Sequence, residues 1–213
     1  MRYHVTSKAR TAPYVIRVTP GSAHSPNEAC GVKYVSSMLM CALRAGMALA
    51  ASPTSCPRTL DFRVEPLAGD TPVHLCDAYR GKVVLIVHTA NQCAFAPQYE
   101  GLEAPYRKYR GRGLVILGFS SSDFGNQAPR SAAQIATFCR MTYGVQFPMF
   151  AKTRVRQGQA DPRYRSLGSP AGEYPASNFH KYLRKRRGDR IGGCASQVTP
   201  DDPRLARATG APL

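Results

Sequence analysis

The sequence predicts a single α/β domain, and its apolar patterning carries that prediction. Continuous apolar, β-branched runs at 83–87 and 114–119 are typical of strands covered on both faces of a sheet. The segment 97–109 between them places tyrosine and leucine at helical spacing, with basic residues on the opposite side. A strand, a helix and a strand in this order form a right-handed βαβ unit. A chain of 213 residues is long enough for one such core and short for two.

Further elements are expected after residue 130: a second helix, a short third strand, a β-hairpin and a last helix. They cover 131–141, 147–152, 179–183 with 190–194, and 203–208. Ser131 is a suitable N-cap for the second helix, because its side chain can accept a hydrogen bond from the first turn. The turn-forming residues 187–189 separate the two hairpin strands.

The first 51 residues differ in texture from this domain, which we expect over 56–213. Residues 1–37 show no helical or strand period and are expected to be a disordered or non-native extension. In 38–51 an apolar run follows Arg44 and ends in Ala-Leu-Ala, the layout of a cleavable signal peptide; a buried helix at the start of the domain is the alternative. The protein is expected to be periplasmic or secreted if this leader is cleaved, and cytoplasmic otherwise.

The composition excludes several classes of protein. A mean hydropathy of -0.30 and a hydrophobic content of 43% fit neither a disordered chain nor one with many membrane spans. The chain has 29 Lys and Arg against 13 Asp and Glu, a net charge of +16. Its basic cluster at 184–187 has only Tyr182 near it for base stacking, so a solvated basic surface is expected rather than a nucleic-acid site. No zinc spacing of Cys and His occurs, so no metal site is expected.

Cys93 is the candidate nucleophile. It follows the first core strand by a few residues, and the helix is expected to start near Pro97. A thiol at this point faces free backbone N–H groups and the positive end of the helix dipole, which favour the thiolate. On placement alone, a small buried residue in a loop is an equal alternative.

The residues around Cys93 resemble a known family. The segment 81–129 reads GKVVLIVHTANQCAFAPQYEGLEAPYRKYRGRGLVILGFSSSDFGNQAP, and three shorter segments follow it in order: FCRMTYGVQFPMFAK, NFHKYL and VTPDDPRL. Together they are similar to the glutathione peroxidase family over about 59–208. The resemblance implies a thioredoxin-like fold, with a central mixed sheet flanked by helices, a C-terminal β-hairpin and a short helix.

The resemblance also implies a thiol peroxidase that acts in the response to oxidative stress. Cys93 would attack a hydroperoxide and become a sulfenic acid, which glutathione or thioredoxin would reduce. These thiols are reducing cosubstrates, and no bound cofactor is implied. Positive charge beside the site is a second interpretation of the basic excess, because glutathione carries two carboxylates.

The site departs from the family pattern at two of its hydrogen-bond donors. The family surrounds its nucleophile with Gln, Trp and Asn, whose N–H groups stabilise developing charge. Asn178 is retained, but Asp123 stands at the Gln position and Ser177 at the Trp position, in a chain without any Trp. An ionised Asp123 would raise the pKa of Cys93 by repulsion; a protonated one, or one turned away, could relay a proton to the leaving oxygen. A weakened or inactive thioredoxin-fold binding or regulatory protein is therefore the alternative function.

Three other cysteines carry expectations. Cys139 lies on the helix that bears the resolving thiol in thioredoxin-dependent members, but one residue earlier, a rotation of about 100°; it is either that resolving thiol or a core residue. Cys56 and Cys76 bracket the segment before the first core strand, and they are either a disulfide of an exported protein or two unrelated small residues.

Overall fold

The structure is a computed structural model that describes residues 56–128, 130–186 and 191–210. The segments 1–37 and 38–51, predicted as an extension and a leader, lie outside the described residues. The predicted hairpin turn at 187–189 also lies outside them.

A mixed sheet forms the centre of the domain, preceded by a small hairpin. The strands are β1 (Arg63–Val64), β2 (Val73–His74), β3 (Val83–Thr89), β4 (Leu114–Ser120), β5 (Met149–Phe150), β6 (Lys181–Arg184) and β7 (Ile191–Cys194). The five-stranded sheet has the order β5-β4-β3-β6-β7. β4 is parallel to both β3 and β5, whereas β6 is antiparallel to β3 and β7 to β6. The predicted βαβ unit is confirmed, since β3 and β4 pair in parallel with Val83 opposite Leu114.

Helices cover both faces of this sheet. They are α1 (Leu75–Tyr79), α2 (Gln98–Tyr109), α3 (Ala132–Tyr143), α4 (Pro162–Ala171) and α5 (Pro203–Gly210). α3 begins as predicted: Ser131 caps it, and its hydroxyl and the Gln134 side chain form a reciprocal capping box. Within 56–128, 130–186 and 191–210, no helix has both the length and the apolar character needed to cross a bilayer.

The alternation along β3 divides the core into two layers. Val83, Leu85 and Val87 face a layer that contains the buried residues of α2, α3 and α5, and Val84 and Ile86 face a layer that contains those of α1 and α4. All seven residues of β3 and all seven of β4 are buried. A strand with both faces covered gives the unbroken apolar runs from which it was predicted.

The structure corrects several boundaries. The third strand is only Met149–Phe150, and β6 begins at Lys181 rather than at Phe179, because the backbone of Phe179 has a positive φ of 63° that no strand residue adopts. Arg184, predicted in an exposed basic cluster, is buried in β6. The fold otherwise agrees with the predicted one: a central mixed sheet, helices on both faces, a C-terminal hairpin and a short last helix.

Candidate active site

Cys93 lies in the turn between β3 and α2, at the carboxyl end of the parallel strands. Its carbonyl oxygen accepts a hydrogen bond from the Ala96 N–H at 3.0 Å, which tightens the turn. The turn is tied down by Gln98, the first residue of α2, whose side-chain Nε2 donates to the carbonyl oxygen of Ser196 at 2.8 Å. The thiol is therefore held by backbone geometry on a packed scaffold, and it remains partly exposed.

The Cys93 sulfur is surrounded by polar groups on several sides. In the thiol form its Sγ donates a weak hydrogen bond to the carbonyl oxygen of Ala90 at 3.6 Å. The backbone N–H groups of Phe95 and Ala96 and the side chain of Asn178 are its hydrogen-bond donors, and each of them lowers its pKa. Donors of this kind stabilise a thiolate.

Burial opposes these donors and is the stronger effect. Removal of the sulfur from water raises the pKa of Cys93 above the ordinary value of a thiol, and the three donors recover only part of that rise. N–H donors that favour the thiolate were expected from the sequence, and these donors are present. Burial outweighs them, however, so the net shift favours the neutral thiol at rest and not the thiolate, and the donors offset part of the cost of forming the thiolate.

Asn178 reaches the sulfur from the segment before β6. The residue is 2% exposed, and its Nδ2 donates to the side-chain Oε1 of Gln127 at 2.7 Å. Gln127 lies in the loop after β4, and its own carbonyl oxygen accepts from the N–H of Gln92 at 3.0 Å. Sequence reasoning missed Gln127, although its place after the carboxyl end of a strand parallel to β3 was a signal that it lies near Cys93.

Asp123 is oriented toward a different loop. Its Oδ2 accepts hydrogen bonds from the backbone N–H of Val155 at 2.6 Å and of Arg156 at 3.2 Å. Asp123 is not among the groups that shift the pKa of Cys93. Of the alternatives open at the sequence level, the structure therefore places this carboxylate turned away from the sulfur, as a brace between two loops.

Ser177 contributes to the framework of the site through its backbone. Its carbonyl oxygen accepts from the hydroxyl of Ser196 at 3.1 Å, which joins the segment before β6 to the segment after β7. Neither its hydroxyl nor any other group of Ser177 acts on the pKa of Cys93. The structure brings Asn178 to the Cys93 sulfur and leaves its neighbour in a framework position.

Cys139 lies on α3 in the same core layer against which Cys93 packs, and it is 1% exposed. Burial raises the pKa of its thiol, and a hydrogen bond from the side chain of Tyr99 lowers it. Cys139 also lines a surface cavity together with Leu67, Arg140 and Phe147, and Cys93 does not line that cavity. The position is that of a core residue in the reduced protein.

Cys56 and Cys76 form a disulfide, with their Cα atoms 5.9 Å apart. Cys76 lies on α1 and belongs to the core layer on the opposite face of the sheet from Cys93. Cys56, Asp61 and His74 place ligand-type atoms within 4.8 Å of one another. The sulfur of this group is committed to the disulfide, and the ring nitrogens of His74 contact Asp77 at 2.8 Å and Asp61 at 3.2 Å, so the group is not arranged to hold a metal ion.

Comparisons with known proteins identify relatives of this chain. The family model for glutathione peroxidase matches residues 59–168. A glutathione peroxidase-like peroxiredoxin of Schizosaccharomyces pombe is 46% identical over 126 residues, which cover 57% of this chain and 80% of the relative. A hydroperoxy fatty acid reductase of Synechocystis is 40% identical over 151 residues, which cover 66% of this chain and 88% of the relative.

Solved structures agree with this relationship. The crystal structure of Trgpx in its apo form aligns with a TM-score of 0.55 and 30% identity, covering 73% of this chain and 98% of that one. A thiol:disulfide interchange protein of the thioredoxin family from Chlorobium tepidum aligns with a TM-score of 0.55 at 12% identity, covering 76% of this chain and 99% of the other, and so shares the fold alone. With a thioredoxin-like fold, a partly exposed cysteine among N–H donors and a family match over half its length, this chain belongs to the glutathione peroxidase family and is a peroxidase oxidoreductase.

Proposed function

We propose that this peroxidase reduces hydrogen peroxide or organic hydroperoxides at Cys93 through a cysteine sulfenic acid. The observation that carries the proposal is the environment of one atom. The sulfur is partly exposed, and it faces the N–H groups of Phe95, Ala96 and Asn178. A position open to a small oxidant and lined with donors for negative charge suits a nucleophile whose charge moves during attack.

The proposed reaction has two stages. The Cys93 thiolate attacks one peroxide oxygen; the S–O bond forms, the O–O bond breaks, and the second oxygen takes up a proton and leaves as water or an alcohol. The sulfur is oxidised by two electrons and the peroxide is reduced by two. A thiol then attacks the sulfenic sulfur and releases water, and a second thiol breaks the resulting disulfide and restores Cys93.

Glutathione or thioredoxin is the proposed reductant. The free cysteines among the described residues are Cys93 and the buried Cys139. A sulfenic acid at a partly exposed site is open to an external thiol, whereas Cys139 would first have to leave the core. This placement supports direct attack by an external thiol, with Cys139 as the resolving thiol only if α3 opens.

Organic hydroperoxides are included because of the relatives and the site. One relative is named a hydroperoxy fatty acid reductase. Ser177 stands where the family has Trp, and a smaller side chain leaves more room beside Asn178 for a bulky peroxide. The same replacement supports the second candidate, a weakened or inactive regulatory protein, because an indole donor is missing.

Peroxide consumption by the purified protein tests the proposal. Hydrogen peroxide and cumene hydroperoxide are each followed with glutathione and separately with thioredoxin, and sulfenic acid is trapped with dimedone. We expect turnover and a dimedone adduct in the wild type, and neither in Cys93→Ser. Cys139→Ser is the matched control: full activity supports an external thiol, and loss confined to the thioredoxin assay assigns the resolving role to Cys139. No turnover with either thiol and no adduct would leave the regulatory protein as the function.

We further propose that the protein works in an oxidising compartment as part of the defence against peroxides. The disulfide between Cys56 and Cys76 supports this, because such bonds persist mainly in exported proteins. Intact-mass analysis of the protein isolated from its host tests the point. A mature chain that begins after the 38–51 segment supports export to the periplasm or medium, and a chain that retains that segment with both cysteines reduced supports a cytoplasmic protein.

A further inference from the structure

Gln127, in the loop between β4 and α3, contacts both Asn178 and the turn that carries Cys93. The side-chain Oε1 of Gln127 lies 2.7 Å from Nδ2 of Asn178, although the two residues are 51 positions apart in the sequence. The backbone carbonyl of Gln127 lies 3.0 Å from the N–H of Gln92, the residue before Cys93. One residue thus connects the turn that carries the sulfur to the amide that donates to it.

The loop that carries Gln127 is itself held in shape. The hydroxyl of Ser122 donates to the carbonyl of Ala128 at 3.0 Å, and the N–H of Asn126 donates to the carbonyl of Ser122 at 3.2 Å. Gly125 and Asn126 turn the chain with positive φ angles of 65° and 50°, which Gly and Asn adopt at lower cost than other residues. Gln127 is therefore presented from a closed loop rather than from a free one.

The chemistry of an amide explains what this contact does. A carboxamide has two N–H donors on one atom and an acceptor on the other. One N–H of Asn178 is taken by Gln127, and the same amide donates to the Cys93 sulfur. If the amide turned over, its oxygen would face the oxygen of Gln127, and the sulfur would lose its donor. The acceptor on Gln127 therefore selects the orientation in which Asn178 supports negative charge on sulfur.

We propose that Gln127 is a positioning residue of this peroxidase: it orients the Asn178 amide toward the Cys93 sulfur and so sets the reactivity of that sulfur. The proposal rests on Cys93 as the reacting group in the proposed function. Gln127 follows Asp123 by four residues. Asp123 stands where the family has Gln, but its carboxylate braces another loop.

The test measures the reactivity of the Cys93 sulfur directly. The pH profile of Cys93 alkylation by iodoacetamide is recorded in a Cys139→Ser background, together with the rate of sulfenic acid formation. Gln127→Met removes the acceptor and preserves the size of the side chain. We expect its alkylation midpoint to move upward by about half a pH unit or more, and its peroxide reaction to slow about tenfold, the effect of a lost hydrogen bond to a charged group. Gln127→Asn, which withdraws the acceptor by one carbon, is expected to shift both in the same direction.

A double-mutant cycle separates positioning from a general structural effect. If Gln127 acts through Asn178, then Gln127→Met adds nothing in an Asn178→Ala background. Gln157→Met, at an exposed glutamine, is the matched control and is expected to match the wild type. An unchanged alkylation profile in Gln127→Met, or an undiminished effect in the Asn178→Ala background, overturns the proposal. Alkylation needs no turnover, so a failure of peroxide reduction in the wild type is recognised separately.

Discussion

At the scale of single residues, two opposing effects set the charge on the Cys93 sulfur. Burial disfavours the thiolate, and the N–H groups of Phe95, Ala96 and Asn178 favour it. The position of Cys93 was predictable because a strand, a turn and a helix follow one another locally in the sequence. The orientations of Asp123 and Asn178 were not, since each depends on a partner more than 30 residues away that local patterning does not specify.

The first prediction concerns pH. Because burial raises the pKa of Cys93, the thiolate fraction at neutral pH is below that of a free thiol, whose pKa is about 8.5. The rate of Cys93 alkylation in Cys139→Ser protein should therefore keep rising as the pH increases beyond about 8.5. Quenched mass spectrometry over a pH series measures it. A plateau already reached near neutral pH contradicts the prediction.

The second prediction concerns Asp123. Asp123→Ala leaves the N–H groups of Val155 and Arg156 without their acceptor, which should lower the free energy of unfolding by about 1 to 3 kcal/mol. Because the carboxylate does not act on the sulfur, the alkylation profile of Cys93 should stay unchanged. Urea denaturation and the alkylation assay provide the two measurements. A stable variant whose Cys93 is alkylated with a lower midpoint pH would instead support the charge repulsion between Asp123 and Cys93 considered at the sequence level.

At the scale of elements, the join between the site and β6 is a strained residue held from several sides. Phe179 has a φ of 63°, rare for a bulky side chain. Its N–H donates to the carbonyl of His88 at 3.1 Å, and its carbonyl accepts from Nζ of the buried Lys181 at 2.8 Å. Its ring packs edge-to-face on Tyr99 with centroids 5.0 Å apart. The kink lies between Asn178, which acts on the Cys93 sulfur, and the start of β6, and Lys181 supplies a hydrogen-bond donor to the buried carbonyl of the kinked residue.

The third prediction follows from that strain. Phe179→Ala should cost about 3 to 5 kcal/mol of stability through the lost ring, with the unfavourable φ retained. Phe179→Gly loses the same ring but relieves the backbone, since a left-handed conformation costs other residues about 1 to 2 kcal/mol. The glycine variant should therefore be at least as stable as the alanine variant, although glycine is ordinarily the worse by about 0.5 to 1 kcal/mol. Denaturant unfolding decides the order, and a clearly less stable glycine variant contradicts the account.

The elements that the sequence did not predict were missed for two physical reasons. β1 and β2 are two residues each, too short to show a period. α4 contains Gly168 and Pro170, which ordinarily indicate a loop, yet a Cβ at Gly168 would lie 2.8 Å from the Tyr174 ring. Here tertiary packing needs the small residue that lowers helix propensity. The longer elements were predicted, β3 and β4 from unbroken apolar runs and α2 and α3 from helical spacing, because burial and propensity agree in them.

At the scale of the whole molecule, the candidate active site and the disulfide lie on opposite faces of the sheet. Cys93 packs with the layer of α2, α3 and α5, whereas the Cys56–Cys76 disulfide lies in the layer of α1 and α4. Basic side chains outnumber acidic ones by 29 to 13, so protonation of any further group adds to an existing repulsion. Two histidines are also buried: His88 on β3, and His180 directly before β6.

The last prediction is that acid unfolds this protein readily. Burial, with repulsion from neighbouring charges, lowers the pKa of His88 to about 3 and that of His180 to about 4. Between those values and about 6.5 the unfolded chain binds up to two more protons than the folded one, so stability falls as the pH falls, by about 2 to 3 kcal/mol per pH unit between pH 6 and 4.5. Urea denaturation across this range measures the slope. His88→Asn should reduce it by about half. His74→Gln is the control: the hydrogen bonds of His74 to Asp77 and Asp61 raise its pKa, so its contribution is fully present below about 6.5 and lost as the pH rises, and its removal should leave the slope between pH 6 and 4.5 nearly unchanged. A flat stability profile from pH 7 to 5 would contradict the burial of two neutral imidazoles at the centre of the fold.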